Sequence, residues 1–269
     1  MLKFLLIAAG AYLAMVGFIY LTQASLLYLP GVPGRQLDAT PQGIGLDYEE
    51  VWLDTSDGVR VHGWFMPGDS PRTVLYFHGN AGNISHRLHT LRQLHELELS
   101  VFIIDYRGYG QSEGSPSEDG LHRDAEAAWQ YLTETRGIAT EDIVVLGRSL
   151  GASVAAWLAA VRRPGALVLD SAFTSVPDIG QDVYPWLPVR LLSRFRHATR
   201  EHLAKSNCPL LIVHSRDDEI IPFHHGQALF GAASEPKTFL ELRGGHNDAH
   251  FRSETAYIDG LRRFLRSTE

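Results

Sequence analysis

The sequence predicts an α/β fold: a mostly parallel, eight-stranded sheet with helices on both faces. Three observations predict it. Short runs at residues 101–104, 166–169 and 210–213 are apolar throughout, as expected of strands buried on both faces rather than one. Helix-like segments separate them, the alternation that yields parallel neighbours. Finally, Gly147-Arg148-Ser149-Leu150-Gly151 joins a strand-like run, 142–146, to an alanine-rich helix former at 152–160. A sharp strand-to-helix turn there places a serine at its tip.

The elements follow in order. Residues 48–53 and 59–65 read as an antiparallel hairpin around the turn Thr55-Ser56-Asp57-Gly58. Residues 73–77 make a third strand. A helix over 85–98 carries Leu88, Leu91, Leu94 and Leu97 at three-residue spacing. The all-apolar strand 101–104 comes next. Ser117 N-caps a helix that runs to about 136, with Pro116 ahead of it and Glu118 and Asp119 in its first turn. After the serine turn come strands at 166–169, 210–213 and 238–242 and a closing amphipathic helix at 257–265. The segment 171–206 fits neither strand nor simple helix. It holds Pro177, Pro185 and Pro188 among Tyr184, Trp186, Leu187, Leu191, Leu192 and Phe195. So long and aromatic an excursion between core strands reads as a lid over a pocket; a structural insertion packed on the sheet is the alternative.

The N-terminus stands apart. No charged residue lies between Lys3 and Arg35, and 4–21 is almost wholly apolar. Its 18 residues span roughly 27 Å as a helix, close to a bilayer's hydrocarbon thickness. An uncleaved signal anchor over 1–29 is the preferred reading; Thr22-Gln23-Ala24 offers a cleavage site to the competing signal-peptide reading. Tyr28 is expected at the membrane interface. Lys3 places the short N-terminal tail in the cytoplasm and the rest of the chain on the other side. A Pro/Gly-rich linker, 30–46, leads to the main domain, 47–269.

Composition narrows the function classes. The 269 residues carry a formal charge of −7 with no basic stripe, which argues against nucleic acid as a partner. One cysteine, Cys208, excludes an internal disulfide and reads as a buried, inert thiol. His86 and His89 lack the glutamate of a zinc-binding H-E-x-x-H helix and read as a solvated face. His224 and His225 begin a helix and read as caps or solvent-facing groups. Asp105-Tyr106-Arg107-Gly108-Tyr109-Gly110 lacks the Gly-Lys-Ser/Thr of a phosphate loop and reads as the floor of a site. Asn83-Ile84-Ser85 matches a glycosylation acceptor weakly. No metal or cofactor is expected.

Ser149 carries the chemistry. A serine hydroxyl needs a base, usually a histidine held by a carboxylate, and elbows of this kind precede the acid and then the histidine in the chain. The strand at 210–213 runs into Asp217-Asp218-Glu219, three candidate acids. The strand at 238–242 runs into Gly244-Gly245-His246, where the glycines free the loop to bring His246 over the sheet edge. His250 is the nearest competitor and is expected in the final helix, pointing elsewhere. Two backbone N–H groups should form an oxyanion hole: that of Leu150, after the serine, and that of Asn80, in the small-residue loop His78-Gly79-Asn80-Ala81-Gly82-Asn83.

These pieces together resemble the α/β-hydrolases over residues 48–265. The match is closest to single-span, membrane-anchored members related to serine aminopeptidase and lysophospholipase-like enzymes. It extends to Leu26-Leu27-Tyr28-Leu29-Pro30, Asp170-Ser171-Ala172-Phe173 and the stretch from His214 to Pro222. The family pattern His-Gly-x-x-Asp-x-x-(Ile/Val)-Pro selects Asp218 as the acid, with Ser215 standing where glycine is usual. Phe195-Arg196-His197 falls where such enzymes often carry Phe-Asp. The resemblance implies a serine hydrolase acting on a small acyl-ester, thioester or lipid-like substrate. A peptidase, with Asp170, Asp178 or Asp182 holding a free amine, and a non-catalytic binding module are the alternatives. Oligomeric state is not legible.

Overall fold

The computed structural model describes residues 1–268. Helix α1, Leu2–Leu27, is apolar but for Lys3, Thr22, Gln23 and Ser25, with no acidic residue in its first turn and no basic residue in its last. Its mean hydropathy reaches 2.2, and none of that stretch is buried. Among the described residues it is the one helix long and apolar enough to cross a membrane.

Eight strands form one sheet: β1 (Glu49–Asp54), β2 (Arg60–Met66), β3 (Thr73–Phe77), β4 (Ser100–Ile104), β5 (Ile143–Arg148), β6 (Ala166–Asp170), β7 (Leu210–Ser215) and β8 (Lys237–Leu242). Their spatial order is β1-β2-β4-β3-β5-β6-β7-β8. The β1–β2 and β2–β4 pairs are antiparallel and the others parallel. Alternate residues of each central strand feed opposite cores, which explains why those strands are apolar throughout. In β5, Ile143 and Val145 join one core with α3 (Glu118–Gln130) and α4 (Leu150–Arg162). Val144 and Leu146 join the other with α2 (Leu88–His95) and the C-terminal helix over 254–267. Each fully buried aliphatic side chain contributes about 1.5–3 kcal/mol.

The chain passes from β3 outward to β4, then crosses back to β5 on the far side of β3. At such a reversal the loops following β3 and β5 diverge and leave a crevice at the carboxyl ends of the strands. The register sets Phe77 beside Gly147 and Arg148 beside Asp170, so the serine turn emerges next to the loop after β3.

Several expectations are refined. The helix expected over 85–98 starts later, because buried Asn83 caps a 3-10 turn over Ile84–Arg87: its side chain accepts from the Ser85 N–H, and its own N–H donates to His86 Nδ1. Asn83 Nδ2 donates to the carbonyls of Gly34 and Gln36. An amide so enclosed cannot serve as a glycosylation acceptor in the folded chain, which corrects that reading. Ser117 does cap α3, its Oγ accepting from Gly120 N at 3.1 Å. The segment 171–206 contains three short helices, α5 (Val176–Val183), α6 (Val189–Leu192) and α7 (Thr199–Leu203). Pro177 and Pro185 bound α5, Pro188 precedes α6, and α7 is a single short turn, so no helical period is legible.

Tyr28 corrects its expected interfacial position. It is 2% exposed, and its hydroxyl hydrogen-bonds His197 Nε2 at 2.8 Å, while His197 Nδ1 meets Ser153 Oγ at 2.8 Å. Leu29 N donates to Asn80 O and Asn80 Nδ2 to Leu27 O. The end of α1 is thus stitched into the domain, as is the stretch after it: Arg35 donates to the carbonyls of Gly110 and Ser112.

A Cβ added at Gly151 would overlap the carbonyls of Phe77 and His78, and one at Gly147 would overlap Gly151 O. We expect Gly151→Ala to lower unfolding stability by about 1–3 kcal/mol through overpacking, read by urea denaturation. An unchanged midpoint would contradict the close β3–α4 approach.

Candidate active site

The turn between β5 and α4 is sterically driven. Ser149 sits at φ 53, ψ −117, a conformation that costs about 1–3 kcal/mol and persists only when neighbouring structure enforces it. Its N–H donates to Asp170 O at 2.9 Å, which orients the turn over the sheet edge. Ser149 faces a cavity of about 460 Å³ that His246, Asn80 and Leu150 also line.

His246 is held from several sides. The loop bends at Gly244, whose φ of +112 suits glycine. His246 N donates to Glu219 Oε2 at 2.9 Å, and His246 O accepts from Arg148 Nη2 at 2.5 Å. Its ring Nδ1 lies 2.8 Å from Asp218 Oδ2. A carboxylate there accepts from Nδ1–H, leaving Nε2 as the basic nitrogen. Asp218 Oδ1 accepts from the N–H groups of Ile220 and Ile221 at 3.0 and 2.7 Å. Burial pushes the Asp218 pKa up. The hydrogen bond and charge of His246, with those two amides, outweigh burial and hold the carboxyl below its ordinary range. Ser149 and His246 share the cavity without a hydrogen bond between them; such contacts are often long in an empty site and tighten on binding.

Of the three adjacent acids, one reaches the ring. Asp217 turns outward to Arg243 (3.1 Å) and the Gly244 N–H, while Glu219 takes the His246 backbone. Ser215, standing where the resemblance would place glycine, donates from Oγ to Gly244 O and accepts from Asp217 N. It therefore ties the acid loop to the histidine loop. His214, buried and kept neutral by that burial, meets Ile221 O through Nε2 at 2.9 Å and backs the same loop.

The loop after β3 is fixed from below. Tyr106 OH donates to His78 O and Tyr109 OH to Asn80 O, each at 2.9 Å. The stretch 105–110 thus braces this loop from beneath rather than lining the cavity itself. With the Asn80 carbonyl occupied from below, its backbone N–H has no protein acceptor among the described residues. Leu150 opens α4, where the first N–H groups of a helix are free to bind an anion. Both borders meet at the serine: a Cβ on Gly79 would sit 3.5 Å from Ser149 Cβ.

Other histidines are relocated. His250 lies in its own short helix, Ala249–Arg252, rather than the final one. It is buried, with a pKa lowered to about 3 by burial and then by Arg148, its Nε2 lying 3.4 Å from Arg148 Nη1. His86 meets Asp38 at 3.0 Å and His89 meets Glu254 at 3.1 Å. His225 is buried, not solvent-facing, whereas His224 is exposed; both reach Asp182 Oδ2 at 3.0 Å. The trio has metal-like spacing. The Thr174 N–H, however, donates to His225 Nδ1 at 3.2 Å, which puts the ring proton on Nε2, facing Asp182. The group is a hydrogen-bonded brace. Cys208 is half-buried, and burial raises its thiol pKa.

Arg148, missed as a site residue in the sequence, touches His246 O, His250 and, at 3.9 Å, Asp170. Its place within the glycine-flanked pentapeptide was the available signal.

Comparison with known proteins agrees with this architecture. A family model described as serine aminopeptidase, S33 matches residues 68–199. The alpha/beta hydrolase domain-containing protein WAV2 of Arabidopsis thaliana is 37% identical over 95% of this chain and 91% of its own. Protein bem46 of Schizosaccharomyces pombe is 38% identical over 87% and 83%. The Pyrococcus furiosus esterase Pf2001 superposes with a TM-score of 0.72 at 21% identity, covering 86% of this chain and 94% of the esterase.

Asp218 also predicts a pH signature. Its folded pKa is depressed, so its stabilisation is complete above the unfolded value of about 3.9 and is lost as pH falls through the lower folded value. We expect Asp218→Asn to be less stable near neutral pH and to show a shallower acid loss of unfolding free energy than wild type below about pH 4. Parallel acid profiles would contradict the pairing.

Proposed function

Because the chain belongs to the α/β-hydrolase superfamily, we propose that it is a membrane-anchored serine hydrolase cleaving carboxylic ester or thioester bonds through an acyl-enzyme. The observation that carries the reading is the 2.8 Å contact between His246 Nδ1 and Asp218 in the cavity that holds Ser149. In this reading Ser149 Oγ bonds to the substrate's carbonyl carbon while its proton passes to His246 Nε2. The oxyanion forms between the Asn80 and Leu150 N–H groups. His246 then gives the proton to the leaving oxygen or sulfur, and that bond breaks. Water repeats the sequence on the acyl-enzyme, its proton returning through His246 to Ser149 as the carboxylic acid leaves. Asp218 stays ionised and stabilises the imidazolium.

The serine aminopeptidase likeness suggests a peptidase as the second reading. Such an enzyme needs an acid to hold the substrate's free amine. Asp170 lies against Arg148 and Ser171, Asp178 pairs with Arg190, and Asp182 with the two histidines. Among the described residues no carboxylate lines the Ser149 cavity, whereas Arg87 and Arg148 do. That electrostatic environment repels a free ammonium and favours the acyl-ester reading.

The anchor reading rests on the exposed apolar length of α1, and the side reading on Lys3. Lys3 inside puts the domain on the non-cytoplasmic face.

Two measurements test the proposal. Wild type should hydrolyse p-nitrophenyl butanoate and label with a fluorophosphonate probe. Ser149→Ala should lose labelling and at least about 10³-fold in kcat. Equal hydrolysis by the variant would refute the nucleophile, and loss of the substrate class with labelling intact would favour the peptidase. Alkaline phosphatase fused to the C-terminus should be active if the domain is translocated; an inactive fusion in a membrane-bound, full-length product places it in the cytoplasm.

A further inference from the structure

A second cavity, of about 280 Å³, runs between α1 and the lid. Ile19, Leu26 and Leu27 of α1 form one wall; Ile179, Val183 and Leu192 of the lid face them. Gln23 lies among them, but its polar atoms are turned to the lid backbone: Nε2 donates to Leu192 O at 2.7 Å, and Oε1 accepts from Arg194 N at 2.8 Å. The groove is therefore apolar in character, with Tyr184 and Phe195 among its aliphatic walls. Leu27 and Ile179 line both this groove and the Ser149 cavity, so the two spaces meet at those side chains.

The other end of the groove lies along the membrane-spanning stretch of α1. Ile19 belongs to the apolar run 4–21, and the lid reaches farther still, Trp186 O accepting from Tyr12 OH at 3.2 Å. From Gln23 to Tyr12 is about 16 Å along a helix. The lid therefore flanks the half of the span nearer the domain. Its outer surface carries Trp186, 53% exposed, and Leu191, 87% exposed. Apolar surface so placed beside a bilayer-length helix faces hydrocarbon rather than water.

We propose that this groove holds the acyl chain of a single-chain ester or thioester lipid, which enters sideways from the bilayer between α1 and the lid and presents its carbonyl to Ser149. The proposal rests on the hydrolase reading above and names its substrate class. The groove's volume sits near the lower end of small-ligand pockets, roughly 300–1,000 Å³, which suits one chain rather than two. Every methylene drawn into it should raise kcat/KM up to about fourfold.

The test uses the full-length protein in one fixed micelle and a series of p-nitrophenyl esters from butanoyl to dodecanoyl. In wild type kcat/KM should climb with chain length. Val183→Trp, filling the groove from the lid, and Leu26→Trp, filling it from α1, should each lower the dodecanoyl-to-butanoyl ratio roughly tenfold or more. Because the micelle is shared, substrate partitioning cancels in that ratio. Should one variant fail to fold, the other fills the groove from the opposite wall. A ratio that stays at the wild-type value in a folded variant overturns the groove, as does a flat chain-length profile in wild type. Butanoyl hydrolysis that persists in Ser149→Ala is a different failure, of the hydrolase reading itself.

Discussion

The left-handed backbone of Ser149 is the constraint on which the site depends. A side chain at φ 53 is unfavourable in isolation, and it survives because β5 is locked into both cores and α4 into one of them. The same turn leaves no room for side chains at Gly147 and Gly151 and presses α4 against the end of β3. That pressure sets the Gly79–Asn80 backbone beside Ser149 and leaves the first N–H of α4 open. One local strain thus fixes the hydroxyl, both borders of the proposed oxyanion site and the packing of the central helix. Its cost, about 1–3 kcal/mol, is small beside the burial that enforces it.

A second layer of interactions keeps the histidine in place. Glu219 takes its N–H, Arg148 its carbonyl and Asp218 its ring. Arg148 belongs to the elbow itself, so the serine turn and the histidine loop are mechanically joined. Ser215 and His214 hold the acid loop from the other side. The strand order explains why these groups converge: β5, β7 and β8 run parallel, so their following loops open at one edge.

Much of this was legible in the residues. All-apolar strands announced a two-sided sheet, because consecutive side chains of β5 must satisfy different cores. The glycine-flanked serine and the Gly-Gly-His loop pointed to two members of the proposed triad. The acid could not be singled out from spacing alone: in a turn, which of Asp217, Asp218 and Glu219 points inward depends on tertiary contacts, and only the family resemblance separated them. Tyr28, Asn83 and His225 were misplaced for a related reason. Each looks polar or interfacial in sequence and is buried by a partner more than 40 positions away, His197, Gly34 and Gln36, and Asp182 respectively. Helices α5 and α6 were hidden by prolines that shorten them below a readable period.

The end of α1 is bonded to the loop bearing Asn80, so the N-terminal helix bears on the geometry of the site as well as on its location. In the proposed reaction the acyl group is held covalently on Ser149 during turnover. The direct measurement is mass spectrometry of protein quenched in acid while it hydrolyses a slowly turned-over acyl ester, followed by trypsin. Cleavage after Arg148 and Arg162 isolates residues 149–162, and fragmentation separates Ser149 from Ser153. The acyl mass is expected on Ser149. Continued hydrolysis with no adduct, or with the adduct on another residue, would contradict it.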